Sequence, residues 1–274
     1  MSKRSYERRI RAKREAQRAE RKRVERRHKF RVWSSVAAAL ALAALLLIVF
    51  LGGNDKKEPS ASSSTSPTPS ASGSPIAGCT VPTPEPKPNG KTFNKAPAMT
   101  INKATLYVAT FQTSCGNVVM QMDPKQSPAS VNNFVFLAKQ GFYDNTKVGR
   151  VQNEAGFAIV QAGTQTGTIS GGVDYSYAGE TPPPSTVYSR GVVAMANSGG
   201  PSSNGSQFFF VVRDWKDLPK NYTVFGRVSD AASLSALDRM ISARGPEVQP
   251  GGNLGISPNP PIFILKVTIA EKNP

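Results

Sequence analysis

The segment NGSQFFFVV, residues 204–212, combines an amide side chain with aromatic rings on one predicted strand. Successive side chains of a strand point to opposite faces. The two faces are therefore Gln207, Phe209 and Val211 on one side, and Phe208, Phe210 and Val212 on the other. One face can pack in a core, and the other then presents an amide beside an aromatic ring. This pairing suits a groove for an extended peptide, in which polar groups hold the backbone and the ring receives an apolar side chain.

The composition disfavours several other kinds of chemistry. The only histidine, His28, lies in a basic N-terminal region, so the rest of the chain has no Ser-His or Cys-His catalytic pair. The two cysteines, Cys79 and Cys115, have no histidine partners with which to form a metal site. The glycine-rich piece GGVDYSYAG lacks the Lys-Ser/Thr ending of a phosphate-binding loop. We therefore expect no metal, no cofactor and no side-chain nucleophile.

Four motifs resemble, in the same order, those of cyclophilin-type peptidyl-prolyl cis-trans isomerases. They are SPASVNNFVFLAKQGFYDNTKVGRV (127–151), AIVQAGT (158–164), MANSGGPSSNGSQFFFVV (195–212) and YTVFGRV (222–228). The resemblance extends over about residues 105–270 and implies isomerisation of X-Pro peptide bonds. By the match of motifs, Arg150 corresponds to the arginine that donates to the prolyl nitrogen, and Gln161 to the glutamine that holds the substrate carbonyl.

The resemblance also implies a set of substrate-binding residues around this pair. Asn197 corresponds to a residue that binds peptide backbone, and Phe209 to one that lines the proline pocket. The remaining positions expected to bind substrate are Phe157, Ala158, Ile159, Ala196, Gln207, Leu218 and Tyr222. We therefore expect one groove that takes proline-containing peptides.

Such a site needs no covalent step. Amide resonance gives the X-Pro bond a rotation barrier of ~18–20 kcal/mol. A guanidinium near the prolyl nitrogen favours the non-conjugated nitrogen of the twisted transition state over the planar ground state, which is the condition for rate enhancement. An acceleration of about four decades requires ~5.5 kcal/mol.

The sequence departs from the family pattern around the proline pocket. Gly149 replaces the aromatic residue or histidine that usually precedes the arginine, and three additional residues follow before the glutamine. Ala158 takes the position of the usual phenylalanine, although a bulge could bring Phe157 there. Trp215 is the nearest candidate for the usual tryptophan. These departures leave a second function open, a non-catalytic proline-peptide-binding chaperone module on the same fold.

Short β-rich runs that alternate with turns make up most of residues 103–274. Seven such runs favour a barrel or a sandwich over a parallel α/β fold. Two segments instead predict helices, one with Ser127 as N-cap and Pro128 at its first position, the other with apolar residues at Leu234, Leu237, Met240 and Ile241. The family resemblance implies an all-β, closed antiparallel barrel of about eight strands capped by two α-helices.

A basic tail, residues 1–32, precedes an uncharged apolar segment at 33–53. The first 31 residues hold fifteen Lys or Arg and four Glu, +11 of the net charge of +16, so the high pI does not indicate a nucleic-acid partner. The apolar segment would form a helix of about 31 Å, enough to cross a membrane. A cleaved signal peptide is disfavoured by the long basic region and by the lack of a small-x-small site directly after the apolar run.

The positive-inside rule places the tail in the cytoplasm and the rest outside. We expect a single-pass protein of the cell membrane whose isomerase domain, 103–274, acts on unfolded exported proteins. The tail could also bind anionic lipid, or could serve only as a topology signal.

A segment rich in Ser, Pro, Thr and Gly, residues 54–102, predicts an extended linker, because it has little apolar surface to bury. Two cysteines, Cys79 and Cys115, fall in the part of the chain expected outside the membrane. In an oxidising compartment they could form a disulfide, or they could remain two small hydrophobic residues.

Overall fold

Antiparallel strands form one curled sheet in the computed structural model, which describes residues 76–243 and 257–272. The nine strands of this described part are β1 (Leu106–Thr113), β2 (Gly116–Met122), β3 (Thr146–Lys147), β4 (Arg150–Glu154), β5 (Phe157–Ala162), β6 (Val192–Met195), β7 (Phe208–Arg213), β8 (Val224–Arg227) and β9 (Phe263–Lys272). Their order in the sheet is β3-β9-β1-β2-β8-β6-β7-β5-β4. The all-antiparallel sheet and the two helices agree with the predicted class.

The predicted alternation along β7 is confirmed by burial. Phe208 and Phe210 lie in the main core, while Phe209 and Val211 lie in a second apolar cluster on the other face of the sheet. In the main core the ring of Phe111 lies 5.7 Å from that of Phe208 and 5.3 Å from that of Phe210, centroid to centroid. The aromatic run therefore packs one face inward and leaves the other for a site.

The first helix, α1 (Pro128–Lys139), begins after Ser127 as predicted, but the side chain of Ser127 does not cap it. Its hydroxyl donates instead to the backbone oxygen of Val224, at 2.6 Å. The carboxylate of Glu180 accepts from the backbone nitrogen of Ala129 at 2.6 Å and from the hydroxyl of Ser130 at 2.8 Å. A distant loop thus supplies the acceptor that the first turn of the helix needs.

The second helix, α2 (Ala231–Ile241), has an N-cap of its own. Asp230 accepts a hydrogen bond from the backbone nitrogen of Ser233 at 2.8 Å. Leu237, Met240 and Ile241 are buried as the spacing predicts, whereas Leu234 is only partly buried. Both helices pack against the sheet on the side of the main core.

Residues 76–102, here called the N-terminal strap, differ from the extended linker that the sequence predicts. The ring of Phe93 packs at 5.3 Å from that of Phe136 and 6.0 Å from that of Phe142, centroid to centroid. Asn132 of α1 donates to the backbone oxygen of Ala98 at 3.0 Å. Because a few apolar and polar anchors suffice, a Pro-rich composition does not prevent this segment from lying on the domain.

The strap is also joined covalently to the sheet. Cys79 and Cys115 form a disulfide with a sulfur–sulfur distance of 2.02 Å, and Cys115 lies in the turn between β1 and β2. The backbone nitrogen of Thr80 donates to the backbone oxygen of Ser114 at 2.7 Å.

The described residues contain no helix that is both long and apolar enough to cross a membrane. The predicted tail, the predicted transmembrane segment at 33–53 and the first part of the predicted linker lie outside the described residues.

Replacing both cysteines, as Cys79→Ser with Cys115→Ser, should lower the free energy of unfolding by about 3–4 kcal/mol, because the bond closes a loop of 36 residues in the unfolded chain. Urea unfolding of the oxidised protein and of the double variant measures this difference. A thiol reductant should destabilise the parent protein and leave the variant unchanged. Equal unfolding midpoints for the two oxidised proteins would contradict the expectation.

Candidate active site

A cavity of about 440 Å³ opens on the face of the sheet that carries Phe209. One side of it is formed by strands β4 to β7, and the other by the segment between β5 and β6. Its lining residues from the strands and their ends are Arg150, Ile159, Gln161, Ala196, Asn197, Gln207, Phe209, Trp215 and Tyr222. A mixed lining of one cation, several amides and aromatic rings is suited to a peptide rather than to a purely apolar ligand.

Arg150 is placed at this cavity by strand pairing. It is the first residue of β4 and faces Gln161 of β5 in the register. Its Nη1 donates to Oε1 of Gln161 at 3.3 Å, and its Nη2 donates to Oε1 of Gln152. Its Nε is buried and has no hydrogen-bond partner among the described residues. Burial lowers the pKa of Arg150, and the neighbouring Tyr222 raises it.

The amide of Gln161 links Arg150 to a second glutamine. Nε2 of Gln161 donates to Oε1 of Gln207 at 2.9 Å. Nε2 of Gln207 in turn donates to the backbone oxygens of Gly171, at 2.8 Å, and Ile169, at 3.2 Å. These bonds fix which end of each amide faces the cavity, since each amide has donors at one end and an acceptor at the other.

The apolar wall of the cavity centres on Phe209, which is 3% exposed. The ring of Tyr222 lies edge-on to it, with centroids 5.5 Å apart. The backbone of Tyr222 is held by the hydroxyl of Tyr188, which donates to the backbone oxygen at 2.9 Å and accepts from the backbone nitrogen at 3.2 Å. The buried Tyr188 therefore fixes the backbone that carries one ring of this pair.

Ala196 and Asn197 border the cavity just after β6. The backbone nitrogen of Ala196 donates to the backbone oxygen of Gln207 at 2.9 Å. The side chain of Asn197 donates to the backbone oxygen of Asn221 and accepts from the backbone nitrogen of Gly200, both at 2.9 Å. A cation, two amides and an apolar hollow are thus brought together in one place.

Comparison with known protein families identifies the family of this domain. The family model described as "Cyclophilin type peptidyl-prolyl cis-trans isomerase/CLD" matches residues 108–264. The chain belongs to this family. The predicted resemblance is therefore confirmed at the level of the domain.

Named relatives carry names of the same type. A "Probable peptidyl-prolyl cis-trans isomerase B" of Mycobacterium tuberculosis is 39% identical over 142 residues, which cover 48% of this chain and 45% of that protein. A "Peptidyl-prolyl cis-trans isomerase" of Helicobacter pylori is 39% identical over 132 residues, which cover 48% of this chain and 79% of that protein. A crystal structure of a Cryptosporidium parvum cyclophilin-type peptidyl-prolyl cis-trans isomerase has a TM-score of 0.48 and 27% identity, covering 62% of this chain and 99% of that one. The chain spans about half the length of the mycobacterial relatives it matches.

Most of the residues that the cyclophilin motifs predicted lie at this cavity, but three do not line it. Ala158 is fully buried in the main core on the opposite face, so its assignment to the substrate groove is wrong. Phe157 lies on the groove side but stacks flat against Trp215, with centroids 3.9 Å apart. Leu218 is buried in the apolar cluster beneath the groove and does not line the cavity.

The reason for the position of Ala158 is strand alternation, which is regular along β5. Phe157, Ile159 and Gln161 share the groove face, while Ala158 and Val160 lie in the main core on the other face. The register with β7 shifts between Ala158 and Ile159, but the additional residue, Val212, lies on β7. Trp215, the nearest candidate for the family's usual tryptophan, lines the cavity, and the ring of Phe157 stacks against it.

A second part of the cavity was not predicted. It is lined by Ile169, Gly171, Val173, Tyr175 and Ser176 from the β5–β6 connection, and by Ser198, Ser203, Gly205 and Ser206 beside β7. The connection has no regular strand or helix, so no periodicity in the sequence could have identified it.

Gly149, the departure directly before Arg150, is explained by a close backbone approach. A Cβ atom at this position would lie 2.6 Å from the backbone oxygen of Thr168. The backbone nitrogen of Gly149 also donates to the backbone oxygen of Gln161 at 3.0 Å. The backbone at Thr168, in the connection between β5 and β6, therefore occupies the space that a larger side chain at position 149 would need.

The change Gly149→Ala should lower the free energy of unfolding by about 1–3 kcal/mol, because the backbone at Thr168 must move to accept the methyl group. Chemical unfolding measures the loss. Gly156→Ala in the same β4–β5 hairpin is the matched control, since nothing lies within 4 Å of a Cβ there. Similar stabilities for the two variants would refute the close approach at residue 149.

Proposed function

We propose that the chain is an enzyme that catalyses cis-trans isomerisation of X-Pro peptide bonds. The observation that carries the proposal is the position of Arg150, whose guanidinium bonds to Gln161 in the lining of the cavity that Phe209 also lines. In this proposal the apolar side of the cavity takes the proline ring, and the amides that line the cavity bind the peptide backbone. Family membership supports the same reaction.

The geometry favours rotation without a covalent intermediate. In the twisted transition state the prolyl nitrogen loses its conjugation and gains a lone pair that can accept a hydrogen bond. A half-buried guanidinium is a fixed cationic donor, and its interaction with that lone pair is strengthened by partial removal from water. The ground-state nitrogen is planar and a poor acceptor, so the interaction favours the transition state selectively.

The other residues of the cavity hold the substrate. Gln161 and Gln207 are fixed to each other and to the backbone at Gly171, so their amides are arranged before a peptide binds. Pre-arranged polar groups spare the ordering cost at the moment of binding. Phe209 and Tyr222 provide an apolar surface against which the proline ring can be desolvated.

We further propose that the curled sheet closes as a barrel. The two residues between β3 and β4, Val148 and Gly149, support this closure. The backbone nitrogen of Val148 donates to the backbone oxygen of Ile262, directly before β9, at 2.9 Å, and that of Gly149 donates to Gln161 on β5 at 3.0 Å. Strands β3 and β4, which stand at the two ends of the sheet order, are therefore connected by two residues whose backbone nitrogens bond to Ile262 and Gln161.

For cellular context, we propose a single-pass membrane protein with a cytoplasmic tail and an extracytoplasmic isomerase domain. The support is the charge pattern of residues 1–53 and the disulfide between Cys79 and Cys115, which suits an oxidising compartment. In that place the substrates would be proline-containing segments of exported proteins that are still unfolded. Anionic lipid would be an additional contact of the tail.

Arg150→Ala should lower kcat/KM for a proline tetrapeptide by about 10²- to 10³-fold, the loss expected when one transition-state donor is removed. Arg150→Lys should recover little, because an ammonium cannot make the two planar bonds to Gln161 and Gln152. Arg227→Ala, an exposed arginine on β8, is the control and should retain full activity.

The assay also separates the enzyme from the chaperone module. If the unaltered protein binds proline peptides but shows no rate above the uncatalysed reaction, the enzyme proposal fails and the binding module is supported.

The proposed topology predicts which end of the chain a protease can reach. In membrane vesicles with the outer face exposed, protease should remove a tag at the C-terminus and spare a tag at the N-terminus. Inverted vesicles should give the reverse pattern, because the positive-inside rule retains the basic tail in the cytoplasm. Recovery of both tags in the soluble fraction would exclude a membrane anchor.

A further inference from the structure

The N-terminal strap contacts the unpredicted wall of the cavity. This wall, here called the groove wall, is the segment 165–176 of the β5–β6 connection. The backbone nitrogen of Asp174 donates to the backbone oxygen of Phe93 at 2.8 Å. The backbone nitrogen of Gly90 donates to Oε1 of Gln165 at 3.2 Å. The strap therefore bonds to the groove wall near both ends of the wall.

Asp174 lies between two residues that line the cavity. Its neighbours Val173 and Tyr175 both face the cavity, and the hydroxyl of Tyr175 donates to Oδ1 of Asn133 on α1 at 2.7 Å. Five residues of the wall contribute to the lining, yet the wall has no strand or helix of its own. Its shape therefore depends on contacts with other segments.

The groove wall is connected to Arg150 by a chain of hydrogen bonds. The backbone oxygens of Ile169 and Gly171 hold Gln207, Gln207 holds Gln161, and Gln161 accepts from Arg150. A displacement of the wall would remove the acceptors that orient Gln207. The strap lies outside the residues that the family model matches, but it holds a wall within them.

The strap is in turn held firmly where it meets the wall. Phe93 packs its ring between Phe136 and Phe142, and its backbone oxygen is the acceptor for Asp174. Nδ2 of Asn89 donates to the backbone oxygen of Gly141 at 2.7 Å, and the disulfide fixes the strap further upstream. Among these anchors, Phe93 is the residue whose own backbone oxygen bonds to the wall.

We propose that the N-terminal strap is a positioning element of the substrate groove, and that Phe93 is the positioning residue through which it acts. The proposal rests on the proposed function, because it gives the strap a role in binding the proline peptide. The ring of Phe93 fixes its backbone oxygen, that oxygen fixes Asp174, and Asp174 fixes the wall that lines the cavity. The part of the chain that precedes the family domain thus contributes to substrate affinity without touching the substrate.

The experiment compares Phe93→Ala with Met99→Ala in the full chain. Met99 belongs to the same strap, but it is 47% exposed and is not among the apolar strap residues that pack against the core. Amide hydrogen exchange is followed at labelling times short compared with global unfolding, for the groove wall and for β7 as an internal reference. Loss of the Phe93 ring should speed exchange of wall amides such as that of Asp174 by about three- to tenfold, which lies within the range of couplings of this kind, and should leave exchange in β7 unchanged.

Steady-state kinetics provide a second readout. Phe93→Ala should raise KM by about three- to tenfold and change kcat by less than about twofold, because Arg150 keeps its bond to Gln152 while the wall loses its support. A merely structural loss would lower the fraction of active enzyme and reduce kcat with KM unchanged. Met99→Ala should match the parent protein in both readouts.

Phe93→Leu retains part of the apolar volume without the ring and gives a second test if the alanine variant fails to fold. It should produce an intermediate increase in wall exchange. Wall exchange and KM equal to those of Met99→Ala in a folded Phe93 variant would overturn the proposal.

The two proposals fail in different ways. Hydrogen exchange and the affinity for a proline peptide, measured by calorimetry, require no turnover. If the parent protein is inactive, the proposed function fails, while a selective loosening of the wall together with weaker peptide binding in Phe93→Ala would still support the strap as a positioning element.

Discussion

The structure depends on one requirement, that a guanidinium be kept charged and oriented at the edge of an apolar hollow. Burial lowers the pKa of Arg150, so the site must compensate for lost hydration with directed acceptors. Gln161 and Gln152 supply acceptors for Nη1 and Nη2, whereas Nε has none among the described residues. The antiparallel register that sets Arg150 opposite Gln161 places one of these acceptors. The pairing of β4 with β5 is therefore both a structural element and the basis of the proposed chemistry.

Much of this site could be predicted because its signals are local. The period of two along β7 separates Phe209 from Phe208 and Phe210 without any knowledge of the fold, and burial confirms the separation. The motif around Arg150 and Gln161 predicted a pair that strand pairing brings together. Ala158 was placed wrongly because it was assigned by counting back three residues from Gln161, whereas an odd separation along a regular strand puts the two side chains on opposite faces.

Other parts could not be predicted because their cause is not local. The groove wall has no periodicity, and its position follows from contacts with α1, with Gln207 and with the strap. Composition assigned residues 76–102 to a linker, and for most of them proline and polar residues do dominate. A few anchors hold the segment against the domain, among them the ring of Phe93, the disulfide of Cys79 and the hydrogen bond from Asn132 to Ala98, and composition averages such anchors away.

The connection between β5 and β6 is long, since it runs from residue 163 to 191, and ordering it costs conformational entropy at every residue. The contacts that order it come from three sides. Glu180 binds the first turn of α1, Tyr177 pairs with Asn204 through the backbone, and the strap binds Asp174. Because each contact joins the connection to an element that is already packed, contacts in several parts of the domain together offset the entropy lost on ordering it. A groove whose wall is irregular can then be as well defined as one built from strands, and the residues that define it need not touch the substrate.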